Sequence, residues 1–356
     1  MIFVMKWISY IYSVLCTCLK SITFHQLKVK FIKKDIRWGI IGCGDVCEVK
    51  SGPAFSKIAN SSLFAVMRRD LVKAKDYALR HHVQKYYDNA QQLIDDPEVN
   101  AIYIATPPAS HEEYTIKAME AGKAVYIEKP VTLNAASCKR MLNASIGYQV
   151  PASGAYYRRA LPLFKKVKSL LEEQKIGNIK AVIISMLQSP TKNIITKTDD
   201  NWRVNPTLSG GGLFHDLAPH QLDLMYWYFG KPTEVTGRSL NQDKKYEAPD
   251  LTTLEAIFSD DIFLTGLWSF NVHESAVEDT CKIIGDEGML KFSFFRQATL
   301  EMESSAGRQV FEFINPPHIQ QPLIEEVVKY FRGEGENPCS LEDALVSMQM
   351  MDSTIR

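Results

Sequence analysis

The sequence has no excess of charge of either sign. Lysine plus arginine number 41 and aspartate plus glutamate also number 41. A balanced chain gives no electrostatic reason to expect nucleic acid or an anionic membrane surface as a partner. A disulfide framework is missing too. Seven cysteines, an odd number, are scattered at Cys16, Cys18, Cys43, Cys47, Cys138, Cys281 and Cys339. That usage suits reduced thiols in a cytoplasmic protein. Cys43 and Cys47 have no second cysteine pair nearby, which speaks against a zinc site. There is no internal repeat and no low-complexity tract. The single candidate for a membrane segment runs from Trp7 to Leu19 inside "MIFVMKWISYIYSVLCTCLKSITF". It is too short to span a bilayer comfortably, and no small-x-small cleavage site follows it. Residues 1–35 are therefore read as a leader outside the fold, with a signal anchor as the alternative reading.

The remainder reads as globular. Of 356 residues, 46% are hydrophobic and 23% charged, enough for one large or two medium domains. From Ile36 the pattern is regular. Short apolar runs ("IRWGII", "SLFAVM", "AIYIAT", "AVYIE") alternate with helical stretches, one capped by Asp70 and one stopped at Gly122. The alternation predicts an α/β domain over 36–155, a doubly wound parallel sheet with right-handed crossovers. After Tyr157 the rhythm changes. A helix from about Leu161 to Gly177 precedes strand-like runs: "IKAVIISML", "TTLEAIF", "IFLTGLWSF", "EDTCKIIG", "MLKFSF" and "RQVFEFI". Short turns such as Ser259-Asp260-Asp261 join several of them. This predicts a second α/β domain over 156–338, built on an open, mostly antiparallel sheet. Helical patterns return near Gln320 to Phe331 and Leu341 to Ser353, the last in a C-terminal segment, 339–356, able to pack back on the first domain.

Three stretches carry chemistry. In "WGIIGCGDVCEV", Gly42 and Gly44 follow a strand, and Asp45 and Val46 open a helix. The first glycine permits a tight turn. The second lets backbone approach a pyrophosphate, which the helix N-terminus then faces. Cys47 stands where the third glycine of the pattern would be. The next strand ends in "AVMRRD", with Arg68 and Arg69 in place of the acid that binds a free ribose. Guanidinium groups there suit a 2′-phosphate, so NADP is preferred over NAD; two solvated surface arginines are the alternative. In "YIEKPVTL", Lys129 sits at the carboxyl end of a parallel strand, where ligands of open α/β sheets bind. In "GGGLFHDLAPHQLDL", helical geometry puts Asp216, His220 and Asp223 on one stripe, with His215 about 100° away. A carboxylate and an imidazole one turn apart serve as an acid–base pair, as two metal ligands, or as a polar stripe facing water.

"GCGDVC", "AIYIATPPASH", "EKP" and "GGGLFHDLAPHQLD", in this order and spacing, resemble the glucose–fructose oxidoreductase / inositol dehydrogenase / MocA family over nearly everything from Ile36 onward. The resemblance implies a Rossmann domain followed by an open-sheet domain. It implies NADP or NAD as cofactor, a sugar, polyol or related substrate, and a homodimer or homotetramer formed through the sheet. By position, Lys129, Asp216 and His220 become the catalytic set, with proton transfer rather than a metal as their chemistry. Thr106, Pro108 and His111 border the nicotinamide half of the cofactor. Glu128 and Lys129 of "EKP" become cofactor-binding residues, and Trp202 and Arg203 of "NWR" bind the cofactor or sit near the substrate. Tyr157 and Arg158 of "AYYRRALP" lie on the substrate side. His215, polar where an apolar residue is expected, adds a substrate contact. Cys47 departs from the usual glycine or alanine. The segment "QSPTKNIITKTDDN" is expected to read hydroxyl stereochemistry. Two other functions remain open: a glycoside-cleaving enzyme with a transient redox step, and a non-catalytic nucleotide sensor.

Overall fold

The structure is a computed structural model that describes residues 29–190, 202–296 and 298–354. Its first half is built on strands β1 (Ile36–Ile41), β2 (Ser61–Met67), β3 (Lys85–Tyr87), β4 (Ala101–Ile104), β5 (Ala124–Ile127) and β6 (Ala152–Gly154). They form a parallel sheet in the order β3-β2-β1-β4-β5-β6. Strands β4 and β5 are buried at every residue, as strands covered on both faces must be. The crossovers are helices α1 (Asp45–Val49), α2 (Leu71–Arg80), α3 (Ala90–Asp95), α4 (His111–Glu120) and α5 (Ala135–Tyr148). Asp70 caps α2 by accepting from Lys73 N at 3.1 Å. The sequence pattern does not reveal β3 or α3. Both are short, and "KYY" offers no apolar run; β3 exists because β2 presents an edge for it.

After helix α6 (Pro162–Glu172), the second half has strands β7 (Ile179–Leu187), β8 (Glu234–Leu240), β9 (Leu251–Ile257), β10 (Phe263–Ser269), β11 (Glu278–Gly285), β12 (Gly288–Phe292), β13 (Thr299–Ser304) and β14 (Gly307–Glu312). The sheet order is β14-β13-β12-β11-β7-β10-β9-β8. Every pairing is antiparallel except that of β10 with β7. Between β7 and β8 come α7 (Pro206–Ser209) and the long helix α8 (Leu213–Phe229). Strands β8 and β13 go unread in the sequence, because half-exposed polar residues interrupt their apolar runs.

Two terminal helices close the molecule. In α9 (Gln321–Arg332), Phe331 packs 5.6 Å from Trp38 of β1, so a helix near the C-terminal end adds to the core of the parallel-sheet half. Helix α10 (Leu341–Asp352) lies on α5 and α8; Asp352 accepts from Ala135 N at 2.9 Å. Helix α10 thus contacts α5, the last helix of the parallel-sheet half.

Residues 29–35, read in the sequence as part of a leader, lie against α9 and α5. Ile32 N donates to Phe331 O at 2.8 Å and Lys30 N to Gln149 O at 2.8 Å. Arg332 Nη1 donates to Lys34 O at 3.0 Å. The run from Trp7 to Leu19 falls outside the described residues. Among the described residues no helix is long and apolar enough to cross a membrane. A chain starting at residue 29 should therefore melt higher than one starting at residue 35. Each lost hydrogen bond is worth about 0.5–1.5 kcal/mol, and each kcal/mol moves the midpoint by about 2–4 °C at this size. Coincident thermal melts of the two truncations would show that these contacts contribute nothing.

Candidate active site

Strand β5 ends at Ile127, and the next residues lead toward α8. Glu128 N donates to Ile104 O at 2.9 Å, which keeps the chain end in register. Lys129 then extends toward α8. Its Nζ donates to Asp216 Oδ1 and to the Asp216 carbonyl, both at 2.8 Å. Arg203 Nε pairs with the other carboxylate oxygen, Oδ2, at 3.3 Å. Trp202 lies beneath this guanidinium, 4.6 Å from its ring centroid. Two cations thus converge on one carboxylate. Burial pushes the Asp216 pKa up, but Lys129 and Arg203 outweigh it and hold the group below its ordinary value. Asp216 is an anion at neutral pH.

His220 follows one turn later on α8 and is 2% exposed. Aromatic rings surround it: Tyr157 at 4.7 Å, Phe295 at 6.1 Å and Tyr156 at 6.5 Å, all edge-on. Burial drives its pKa well below the ordinary histidine value, and the charges of Lys129, Arg158 and Lys50 push the same way. The imidazole is therefore neutral and able to accept a proton. Its Nδ1 is buried without a hydrogen-bond partner among the described residues.

The stripe on α8 divides. Asp223, in line with Asp216 and His220, meets a different partner and takes both arms of Arg159, at 2.7 and 2.8 Å. His220 and Asp223 are buried, while the Asp216 side chain keeps 14% of its surface exposed. His215 also leaves the site. It is 1% exposed, and burial lowers its pKa to about 4. Its ring sits against the glycine turn, where a Cβ on Gly211 would lie 2.2 Å away. Gly210, at φ +91°, has Leu133 O 2.9 Å from where its Cβ would be. The glycines thus let the start of α8 approach the loop that carries Lys129.

At the end of β1, Gly42 (φ +92°) abuts Thr106: a Cβ there would lie 2.7 Å from the threonine methyl. Gly44 is the opposite case. Its Cβ would meet nothing nearer than Gly42 O at 3.9 Å, and no side chain caps α1 behind it, where Asp45 and Val46 begin the helix. Arg68 Nη1 reaches Cys43 O at 3.4 Å, which places its guanidinium beside the turn. Arg69 is exposed. Cys47 is fully buried; its carbonyl accepts from the Tyr77 hydroxyl at 2.9 Å. A bare turn, open space over its second glycine and a flanking cation fit a dinucleotide.

Other sequence candidates have different neighbours. The His111 ring lies between two backbone carbonyls, Thr106 O at 2.7 Å and Pro130 O at 3.0 Å, and is fully buried. It braces the loops around Pro108 and Lys129 from behind. Arg158 is buried, donates to Phe294 O and stacks 4.2 Å over Phe295, forming a wall behind His220. Most of "QSPTKNIITKTDDN" falls outside the described residues.

Sequence reasoning misses Phe295, Lys50 and Gln320. Gln320 joins the site from the stretch "NPPHIQQP", whose prolines mark only a loop. Its amide donates to Glu128 at 2.6 Å across 192 positions of chain, a contact no local pattern announces.

A dinucleotide turn, a lysine at a parallel strand end and a carboxylate–imidazole pair on a facing helix define a two-domain, nucleotide-dependent oxidoreductase. Comparison with known proteins agrees. Residues 36–154 match the model of an oxidoreductase family with an NAD-binding Rossmann fold, and residues 164–291 match the GFO/IDH/MocA C-terminal domain. Oxidoreductase P35 of Formosa agariphila is 43% identical over 317 residues, 89% of this chain and 97% of that protein. Among solved structures, a levoglucosan dehydrogenase complex with NADH and levoglucosan superposes with TM-score 0.78 at 20% identity, covering 90% of this chain and 96% of the other. An aldose-aldose oxidoreductase from Caulobacter crescentus complexed with glycerol gives 0.78 at 19% identity, with coverage of 90% and 96%. The chain belongs to the Gfo/Idh/MocA family of NAD-binding oxidoreductases.

Proposed function

We propose that this chain is an NADP-preferring dehydrogenase or reductase that moves a hydride between nicotinamide and a carbon bearing a hydroxyl or carbonyl on a sugar, polyol or related compound. The observation that carries this reading is the pairing of Lys129 with Asp216, beside a neutral His220. In the oxidation direction His220 takes the hydroxyl proton. Lys129 hydrogen-bonds the same oxygen and stabilises its developing charge. Asp216 holds the lysine ammonium in place from two atoms, and Arg203 fixes the far side of that carboxylate. Two cations already occupy Asp216, which favours proton transfer over metal chemistry at this pair. Tyr157 and Phe295 close the imidazole off from water. The levoglucosan and glycerol bound by those two structural neighbours support a carbohydrate-like substrate.

NADP preference rests on Arg68. A guanidinium beside the phosphate turn attracts a 2′-phosphate, and the attraction weakens with salt because the group is partly exposed. We also infer self-association through the open sheet face, where Ile183, Phe263 and Leu267 are 40%, 40% and 38% exposed on one side of β7 and β10. The cysteines among the described residues are free and buried, which suits the reducing cytoplasm.

The test is a screen of sugars and polyols that follows reduced cofactor by absorbance, paired with calorimetric titration of NADPH and NADH. NADPH is expected to bind more tightly, with Arg68→Asp reversing the order. Equal affinities in the wild type would overturn the preference. Absence of turnover with every polyhydroxy compound would count against the substrate class.

A further inference from the structure

Lys129 is held at its tip by Asp216. What holds its base is a second device, built from residues outside the pattern of the catalytic set. Glu128 is 6% exposed, and a buried carboxylate needs donors. It has three. The Tyr103 hydroxyl donates to Oε1 at 2.5 Å, Gln320 Nε2 donates to Oε1 at 2.6 Å, and Lys129 N donates to Oε2 at 3.0 Å. The carboxylate therefore clamps the backbone of the lysine residue itself. Tyr103 comes from the neighbouring strand β4 and is part of the rigid sheet. Gln320 comes from the far end of the chain, at the start of α9.

The orientation of the Gln320 amide is fixed by chemistry. Its Nε2 donates to Glu128 Oε1 at 2.6 Å, the pairing of an amide donor with a carboxylate acceptor. The backbone of Gln320 acts at the same place: its N–H donates to Lys50 O at 3.2 Å, at the end of α1. Nearby, His318 Nδ1 lies 2.7 Å from Val49 O, which pins the approaching loop. Gln320 is 1% exposed, so its contacts compete with no bulk water.

We propose that Gln320 is a positioning residue for Lys129: it completes the clamp on Glu128 and so lets the C-terminal part of the chain set where the lysine ammonium sits relative to Asp216. This rests on Lys129 being the group that binds the reacting oxygen. Proton transfer and hydride transfer both need the reacting atoms placed within a fraction of an ångström, and a displacement of about 1 Å costs on the order of a hundredfold.

Three variants test it. Gln320→Leu keeps the volume and removes the donor. It should lower kcat about tenfold or more, while KM and the Kd for cofactor stay within about twofold and the protein remains folded. Gln320→Glu places a second carboxyl 2.6 Å from Glu128 Oε1. The pair then shares one proton at low pH, which restores the hydrogen bond, and repels when that proton leaves. Its kcat relative to wild type should therefore rise as pH falls, a dependence that a packing defect does not produce. Lys129→Ala is the control for the underlying reading. If Lys129→Ala turns over normally, that reading fails. If Lys129→Ala is inactive but Gln320→Leu has wild-type kcat, the positioning role fails. It fails also if the Gln320→Glu deficit is the same at every pH.

Discussion

Lys129→Ala and His220→Ala each lower kcat by about a hundredfold or more, the scale of a lost charge-stabilising or acid–base group. Cofactor affinity changes little, because neither side chain touches the glycine turn. The two losses differ in their pH dependence. In the oxidation direction His220 must be neutral, and its pKa lies well below the ordinary histidine value through burial and three nearby cations. The acid limb of kcat/KM is therefore displaced to lower pH than a free imidazole would give. Removing the Lys129 charge takes away one of those cations, so the residual activity of Lys129→Ala should lose its acid limb at higher pH than wild type. Steady-state kinetics across pH, with substrate saturating and then limiting, checks both statements. Normal turnover in His220→Ala would end the proton-transfer assignment. Activity lost to chelators and restored by zinc would revive a metal at Asp216 and His220.

The second large effect is on stability. Arg159→Met should destabilise the fold by about 3–5 kcal/mol, the cost of leaving one partner of a buried ion pair alone. Arg159 and Asp223 have side chains 6% and 1% exposed, and the guanidinium also donates to Asp343 Oδ2 at 2.9 Å and Pro338 O at 3.2 Å. It thereby fastens the short turn of residues 157–160, α8 and the start of α10 to one point. Even with this partner, burial raises Asp223 to about 6. Without it the carboxyl rises further above its unfolded value of about 3.9. A raised acid pKa means that the folded state binds the proton more tightly. The deficit is then largest above the folded pKa and shrinks as pH falls toward the unfolded one. Urea unfolding of Arg159→Met at two pH values measures this. A second variant, Arg159→Met with Asp223→Leu, should recover part of the loss by removing the stranded charge. Equal stability of Arg159→Met and wild type at pH 8 would show that the pair contributes nothing.

These two predictions concern one helix, and the helix shows where local pattern stops being informative. Spacing puts Asp216, His220 and Asp223 on one stripe. It does not say what lies opposite each turn. Asp216 meets Lys129, brought from position 129 by a strand end; Asp223 meets Arg159, brought by the crossover after β6. His215 and His111 show the same limit from the other side. Each is a polar residue inside a functional motif, and each is buried against backbone, His215 on the glycine turn and His111 between two carbonyls.

By itself the sequence determined what depends on near neighbours along the chain. The apolar runs of β1, β2, β4 and β5 specify buried parallel strands, because only side chains without polar atoms tolerate cover on both faces. Gly42 specifies the turn, because φ +92° against Thr106 leaves no room for a Cβ. Asp70 specifies a helix start through its own side chain. The two arginines of "MRR" specify a positive charge at the end of β2. Tertiary structure alone decided which distant groups share a site and in what state. The charge on Asp216, the neutrality of His220, the clamp of Gln320 on Glu128 and the attachment of residues 29–35 to α9 all depend on burial and on partners far away in sequence. Desolvation and Coulomb energy act through space, and the chain order carries no record of which surfaces will meet.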